Sequence, residues 1–184
     1  MVTTSILYEQ LSRNTDNVLH DGRWYGMILR TGHSTGYIRY VDAWVNGTTG
    51  SYLNFTLYAK HVQADGTVLR TSPALTYDGS GSLPEILQFD FGCAFEVAID
   101  EAIVLETADG SATQAVKIPI GTGGVPTNTQ SMFKNNDGTI SFGSSEAQLM
   151  RWDTASTSQT ECGGPAPGGG AVGLPPPPYV LVGF

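Results

Sequence analysis

Apolar and polar residues alternate along this chain with a period of two, and no window of helical length carries a convincing 3.6-residue period. From Tyr52 to His61, Leu53, Phe55, Leu57 and Ala59 fall on one face of an extended strand, with Asn54, Thr56, Tyr58 and Lys60 on the other. Leu87, Phe89 and Phe91 alternate in the same way with Gln88 and Asp90. After Gly92 the pattern resumes with Val97 and Ile99, then passes Asp100 and Glu101, a polar pair suited to a turn or bulge. It ends in the near-continuous Ala102-Ile103-Val104-Leu105. The stretch from Leu83 to Thr107 therefore reads as two core strands and their connection.

The intervening segments are rich in turn residues. Trp24 to Leu29 is closed by Gly32-His33-Ser34-Thr35-Gly36, and Tyr37 to Val45 by Asn46-Gly47-Thr48-Thr49-Gly50. Asp65-Gly66, Asp78 to Ser82, Asp109-Gly110 and Asp137-Gly138 punctuate the rest, and Gly121 to Gln130 reads as a loop. Further strands are expected at Thr67 to Arg70, Ala115 to Ile118, Thr139 to Phe142 and Gln148 to Trp152. Turn signals about every 10 to 15 residues predict an all-β fold, an antiparallel β-sandwich of jelly-roll-like form with about seven to nine strands.

Residues 1–22 read as an N-terminal arm or lead-in strand, 23–153 as the sandwich, and 154–184 as a polar, Gly/Pro-rich tail. Pro175 to Pro178 predicts a polyproline II spacer before the apolar Tyr179-Val180-Leu181-Val182-Gly183-Phe184. An uncharged β-forming segment needs cover. Tyr179, Val180, Leu181, Val182 and Phe184 are accordingly expected to dock on a sheet edge or groove of this domain or of a neighbouring subunit.

Composition supports the strand reading and narrows the partners. The 184 residues include 23 glycines and 10 prolines, and only 14% are charged. A net charge of −8 with nine Lys and Arg argues against a nucleic-acid partner, whose phosphates are neutralised by such cations. The N-terminal MVTTSILYEQLSRNTD has neither a basic n-region nor an apolar h-region, and is read as carrying no secretory signal. No apolar run approaches the ~18 residues of a membrane-spanning helix, so no membrane partner is expected. Cys93 reads as a small buried hydrophobe and Cys162 as an incidental tail thiol, with a disulfide between them left open.

Candidate chemistry is sparse. Gly32-His33-Ser34-Thr35-Gly36 has the form of a G-x-S-x-G nucleophile elbow, but Tyr37 to Val41 after it reads as a strand, where the elbow needs a helix. His20, His33 and His61 lack zinc-ligand spacing. Asp90, Asp100, Glu101, Glu106 and Asp109 cluster in sequence without a calcium or glycosidase motif, and read as solvent-facing carboxylates at strand ends. No catalytic residue, metal or cofactor is therefore assigned. Trp24, Tyr25, Tyr37, Tyr52 and Tyr77 are candidate ligand-facing aromatics, able to stack on sugar rings; Trp44 and Trp152 are assigned to the core.

From Trp24-Tyr25-Gly26 the chain runs through Gly36-Tyr37-Ile38, Val41, Trp44, Phe55-Thr56-Leu57-Tyr58 and Asp65-Gly66-Thr67-Val68-Leu69. It continues through Leu87-Gln88-Phe89-Asp90-Phe91 and Ile103-Val104-Leu105-Glu106. In this succession it resembles jelly-roll modules of bacteriophage head decoration and tail adhesion proteins and carbohydrate-binding-like domains. The resemblance implies a non-enzymatic structural protein of a virion, assembled in the host cytoplasm. Its partners would be copies of itself, in a trimer for example, and other virion proteins. The alternative it implies is a carbohydrate-binding adhesin whose partner is a cell-surface glycan.

Overall fold

The computed structural model describes residues 6–10, 15–50, 54–79, 85–148 and 150–154. Among them are fourteen strands and no helix. The first seven are β1 (Ile6–Gln10), β2 (Thr15–Leu19), β3 (Trp24–Leu29), β4 (Gly36–Val45), β5 (Asn54–Gln63), β6 (Val68–Thr71) and β7 (Leu75–Asp78). The others are β8 (Glu85–Val97), β9 (Glu101–Thr107), β10 (Val116–Thr122), β11 (Thr129–Lys134), β12 (Ile140–Gly143), β13 (Glu146–Gln148) and β14 (Met150–Thr154). The predicted turn glycines Gly32, Gly47, Gly66, Gly110 and Gly138 all have positive φ.

All pairing is antiparallel. One sheet runs β1-β14-β4-β8, a second β13-β10-β2, and a third, of seven strands, β12-β11-β3-β9-β5-β6 with β7 also on β5. The first two lie opposite the third in a β-sandwich. One core fills the space between, drawing Met27, Leu29, Phe55, Leu57, Ile103 and Leu105 from the large sheet and Val41, Ala43, Phe89, Ile118 and Trp152 from the facing layer. The count exceeds the expected seven to nine because short strands such as β7, β11 and β13 give almost no periodic signal. Residues 6–10 and 15–19, read as an arm or lead-in, are strands of the sandwich, and Tyr8 and Leu19 are buried in its core.

The chain from Glu85 to Thr107 is not a hairpin. β8 is an edge strand of the first sheet, whereas β9 is central in the large one, so residues 98–100 form an arch between layers. Asp100 adopts φ 64° at its apex, and its N–H donates to Leu29 O at 2.9 Å. A second crossing joins β2 to β3 through Asp21 and Gly22, with φ 49° and 70°. The Asp21 and Gly22 N–H groups donate to Asp109 O and Thr107 O at the far end of β9.

β3 and β9 are covered on both faces. Every residue of β3 is buried, and Ala102, Ile103, Val104 and Leu105 of β9 are inaccessible to solvent. This is what a continuous apolar run, as opposed to an alternating one, signifies. Trp24, Ile28, Val62, Ala102, Val104 and Met132 make a second, smaller core on the outer face, completed by Ala64 and Ile140. The sheet curls to close it: a Cβ on Gly66, in the β5–β6 turn, would fall 2.4 Å from Ile140 Cδ1 of β12.

Gly26 sets the contact between the two central strands. A Cβ there would lie 2.1 Å from Ile103 O and 2.5 Å from Val104 Cα, both backbone atoms that cannot swing aside. Gly26→Ala is expected to cost at least about 2 kcal/mol through forced separation of β3 and β9, read as a lower midpoint of chemical denaturation.

Candidate functional site

The outer face of the β1-β14-β4-β8 sheet carries an array of charged, amide and aromatic side chains. Alternation builds it. Val41, Ala43 and Val45 of β4 point into the core with no exposure, which turns Tyr40, Asp42 and Trp44 outward. Met150 and Trp152 of β14 are likewise fully buried, leaving Arg151 and Asp153 outside. On β8, Leu87 and Phe89 go in, while Ile86, Gln88 and Asp90 go out; Ile86 is 54% exposed.

Register aligns these residues in rows. Glu9, Arg151, Asp42 and Gln88 are successive cross-strand partners, flanked by the pair Trp44 and Ile86 and by Asp153, Tyr40 and Asp90. Asp42 is 4% exposed because its neighbours close over it. Arg151 forms an ion pair with one carboxylate oxygen, and Gln88 Nε2 donates to the other at 2.9 Å. Arg151 Nε also stands 3.3 Å from Asp153. Burial pushes the Asp153 carboxyl above its usual range; Arg151 opposes this, and the Asp42 and Glu9 charges add to it.

A bulge breaks the β4–β8 register between Ile38 and Tyr40. There Arg39 grips Asp90 through two hydrogen bonds of 2.7 and 2.8 Å, and the Gly92 N–H donates to the same carboxylate at 2.7 Å. The Arg39 hydrogen bonds hold the Asp90 carboxyl below its usual range, against partial burial.

The carboxylates expected to face solvent have structural partners. Besides Asp90, Asp100 pairs with Arg30 at 2.5 Å, Glu106 pairs with Lys60, and Asp109 accepts the Thr56 N–H at 2.6 Å. Glu101 accepts His61 Nε2 at 2.7 Å and the Ala98 N–H at 2.8 Å. Burial works to raise the Glu101 carboxyl, but these two hydrogen bonds outweigh it and hold the group below its usual range. No group of three or more His, Cys, Asp and Glu among the described residues is placed to hold a metal.

The predicted ligand-facing aromatics separate. Trp24, Tyr25 and Tyr77 are 5%, 3% and 1% exposed, so none offers a ring face to a sugar. Trp24 and Tyr25 are on β3, which is covered on both sides, and Tyr77 is the inward residue of β7 between exposed Thr76 and Asp78. Tyr37 is 42% exposed, opposite Glu96. Tyr52 lies outside the described residues, as do Tyr179, Val180, Leu181, Val182 and Phe184. Trp152 is in the core, but Trp44 is not: it lies on the outer face between inward Ala43 and Val45. Ser34 is exposed in a loop that leads into strand β4, and His33 Nδ1 meets Ser34 O at 2.8 Å. Cys93 is not a buried hydrophobe; it is half-buried beside the Gly92 bulge and disulfide-bonded, with Cys162 outside the described residues. No protein-family model matches the chain, and no curated protein sequence does.

Two polar features make measurable predictions. His20 is 2% exposed, and neither ring nitrogen has a hydrogen-bond partner among the described residues. Burial, then the Arg23 charge, lower its pKa from 6.5, with Asp21 opposing. The unfolded chain therefore binds the extra proton more readily, so stability is expected to fall as pH drops below about 6.5. Urea midpoints between about pH 5 and 8 should show the fall, and His20→Leu should flatten it.

Arg151→Met strands the buried Asp42 and is expected to cost about 2–3 kcal/mol, less than a fully enclosed pair because the guanidinium is partly open to solvent. The double variant Arg151→Met/Asp42→Asn should recover part of this in the same denaturation assay.

Proposed function

We propose that this chain is a non-enzymatic structural protein of a bacteriophage particle, a multimeric capsid-decoration or tail-associated protein in which the sandwich is the body and the chain ends make contacts between subunits. The observation that carries the reading is the pairing of β1 with β14 at the edge of a sheet. The first and last described strands are neighbours, so residues 1–5 and 155–184 both join the body at one edge. Among the described residues β1 pairs with β14 alone, and its other side is where this reading places strand addition. The apolar Tyr179 to Phe184 is the segment suited to add there or to a neighbour. Closed rings of subunits arise readily from such head-to-tail exchange. The particle context rests on the resemblance of residues Trp24 to Trp152 to decoration and tail adhesion modules.

A second reading, a carbohydrate-binding adhesin, is favoured by the outer face around Asp42. Tyr40 and Trp44 there flank a row of hydrogen-bonding side chains, the mixture of apolar rings and polar groups that a saccharide needs.

Light scattering after size-exclusion chromatography tests the first reading. The full chain is expected to be an oligomer, and deletion of residues 175–184 to reduce its mass toward that of the monomer. A monomeric full chain, or an oligomer indifferent to the deletion, would overturn it.

A further inference from the structure

Cys93 sits where β8 leaves the ladder. Between the pairs Ile38–Phe95 and Tyr40–Asp90 the register sets one residue of β4 against four of β8, residues 91–94. A bulge of this kind re-aims the side chains it carries. Both of its ends are held. Asp90 is gripped by Arg39 and by the Gly92 N–H, while Phe95 is buried in the core with its ring 4.8 Å from that of Phe91. Gly92, with φ 81°, makes the bend. Cys93 is therefore carried on a fixed bulge of the strand at the end of the β1-β14-β4-β8 order, half-buried and disulfide-bonded.

The sequence holds one other cysteine, Cys162, eight residues beyond Thr154 at the end of β14. Register brings the end of β14 close to the bulge. Thr154 pairs with Ile38, and Ile38 pairs with Phe95, two residues from Cys93. That separation is about two strand spacings, roughly 10 Å, whereas eight residues of chain reach up to about 27 Å. A disulfide needs Cα atoms roughly 4.4–6.8 Å apart, which this slack allows.

We propose that Cys93 and Cys162 of one chain form a redox-sensitive clasp, which fixes the start of residues 163–184 to β8. Without the bond, all residues after Thr154 are tethered at β14, beside β1; with it, those after Cys162 are tethered at β8, the other end of the same sheet. Closure is a thiol–disulfide exchange with a small disulfide such as oxidised glutathione. The two cysteine thiols become one S–S bond, and their protons and two electrons leave in two molecules of reduced glutathione. Cytoplasmic glutathione and thioredoxin keep thiols reduced. The clasp is accordingly open where such reductants prevail and closed outside them. It holds whatever Tyr179 to Phe184 contact, so its failure and that of the assembly reading are distinguishable.

The experiment reduces the full chain, incubates it with oxidised glutathione, alkylates it without further reduction and digests it with trypsin. Cys93 and Cys162 fall in the tryptic peptides 71–117 and 152–184. Mass spectrometry is expected to find these as one joined species that separates on reduction, and a non-reducing gel to show a single chain. Cutting the folded, oxidised chain after Glu161 with a glutamate-specific protease reads the same bond in the native protein. Residues 162–184 should stay attached until dithiothreitol is added, and should leave without it in Cys93→Ser. Alkylation of both cysteines after the oxidant, glutathione adducts in place of the joined peptides, a bond between two chains, or loss of residues 162–184 without reductant would overturn the proposal.

Discussion

The fold depends on burying the β3–β9 pair on both faces at once. A sheet in a two-layer sandwich ordinarily covers one face and wets the other, which gives the alternation seen in β5. Here Met27, Leu29, Ile103 and Leu105 face the main core, while Trp24, Ile28, Ala102 and Val104 face a second one. Wetting either face would forfeit burial worth roughly 1.5–3 kcal/mol for each large side chain. The large sheet is therefore obliged to curl until the β5–β6 turn meets β12, and Gly26 permits the close strand contact around which it curls.

The same pair anchors two of the passages between layers. Those at Asp21-Gly22 and at 98–100 bond to backbone at or just beyond the ends of β3 and β9: Gly22 to Thr107, Asp21 to Asp109, Asp100 to Leu29. Polar side chains reinforce the second. Arg30 at the end of β3 holds Asp100, and His61 of β5 holds Glu101, whose other hydrogen bond comes from Ala98 inside the arch. Asp100 and Glu101 are thus fastenings of a crossover, which explains why so apolar a stretch tolerates two adjacent acids.

Much of this was legible in the sequence, and the boundary of legibility is physical. The alternation over Tyr52 to His61 correctly put Phe55, Leu57 and Ala59 inward, and Trp24 to Leu29 matches β3 residue for residue. Period-two patterning reports which side of a strand is apolar; it is silent on which strand lies beside it. The separation of β8 from β9 into different layers was for that reason invisible. Trp24, Tyr25 and Tyr77 were misread because exposure was inferred from residue type: the uninterrupted apolar run of β3 already pointed to two-sided burial of the first two, and Tyr77 is the inward residue of an alternating strand. Trp44 was misread in the opposite sense: its neighbours Ala43 and Val45 are the inward pair, and parity alone puts it outside. The outer-face row escaped notice because Glu9, Asp42, Gln88 and Arg151 are far apart in sequence and meet only through register.

Where the cores lie limits where recognition can happen. The interior between the layers is filled by large side chains such as Trp152, Phe55 and Phe89, and the outer face of the large sheet around Trp24 is sealed by Ala64 and Ile140. The polar rows described lie outside these cores, on the outer face of the β1-β14-β4-β8 sheet, where the acids Asp42 and Asp90 are each tied to an arginine. Apolar side chains packed on both faces of the β3–β9 pair leave the polar cross-strand rows to the outer face of the opposite layer.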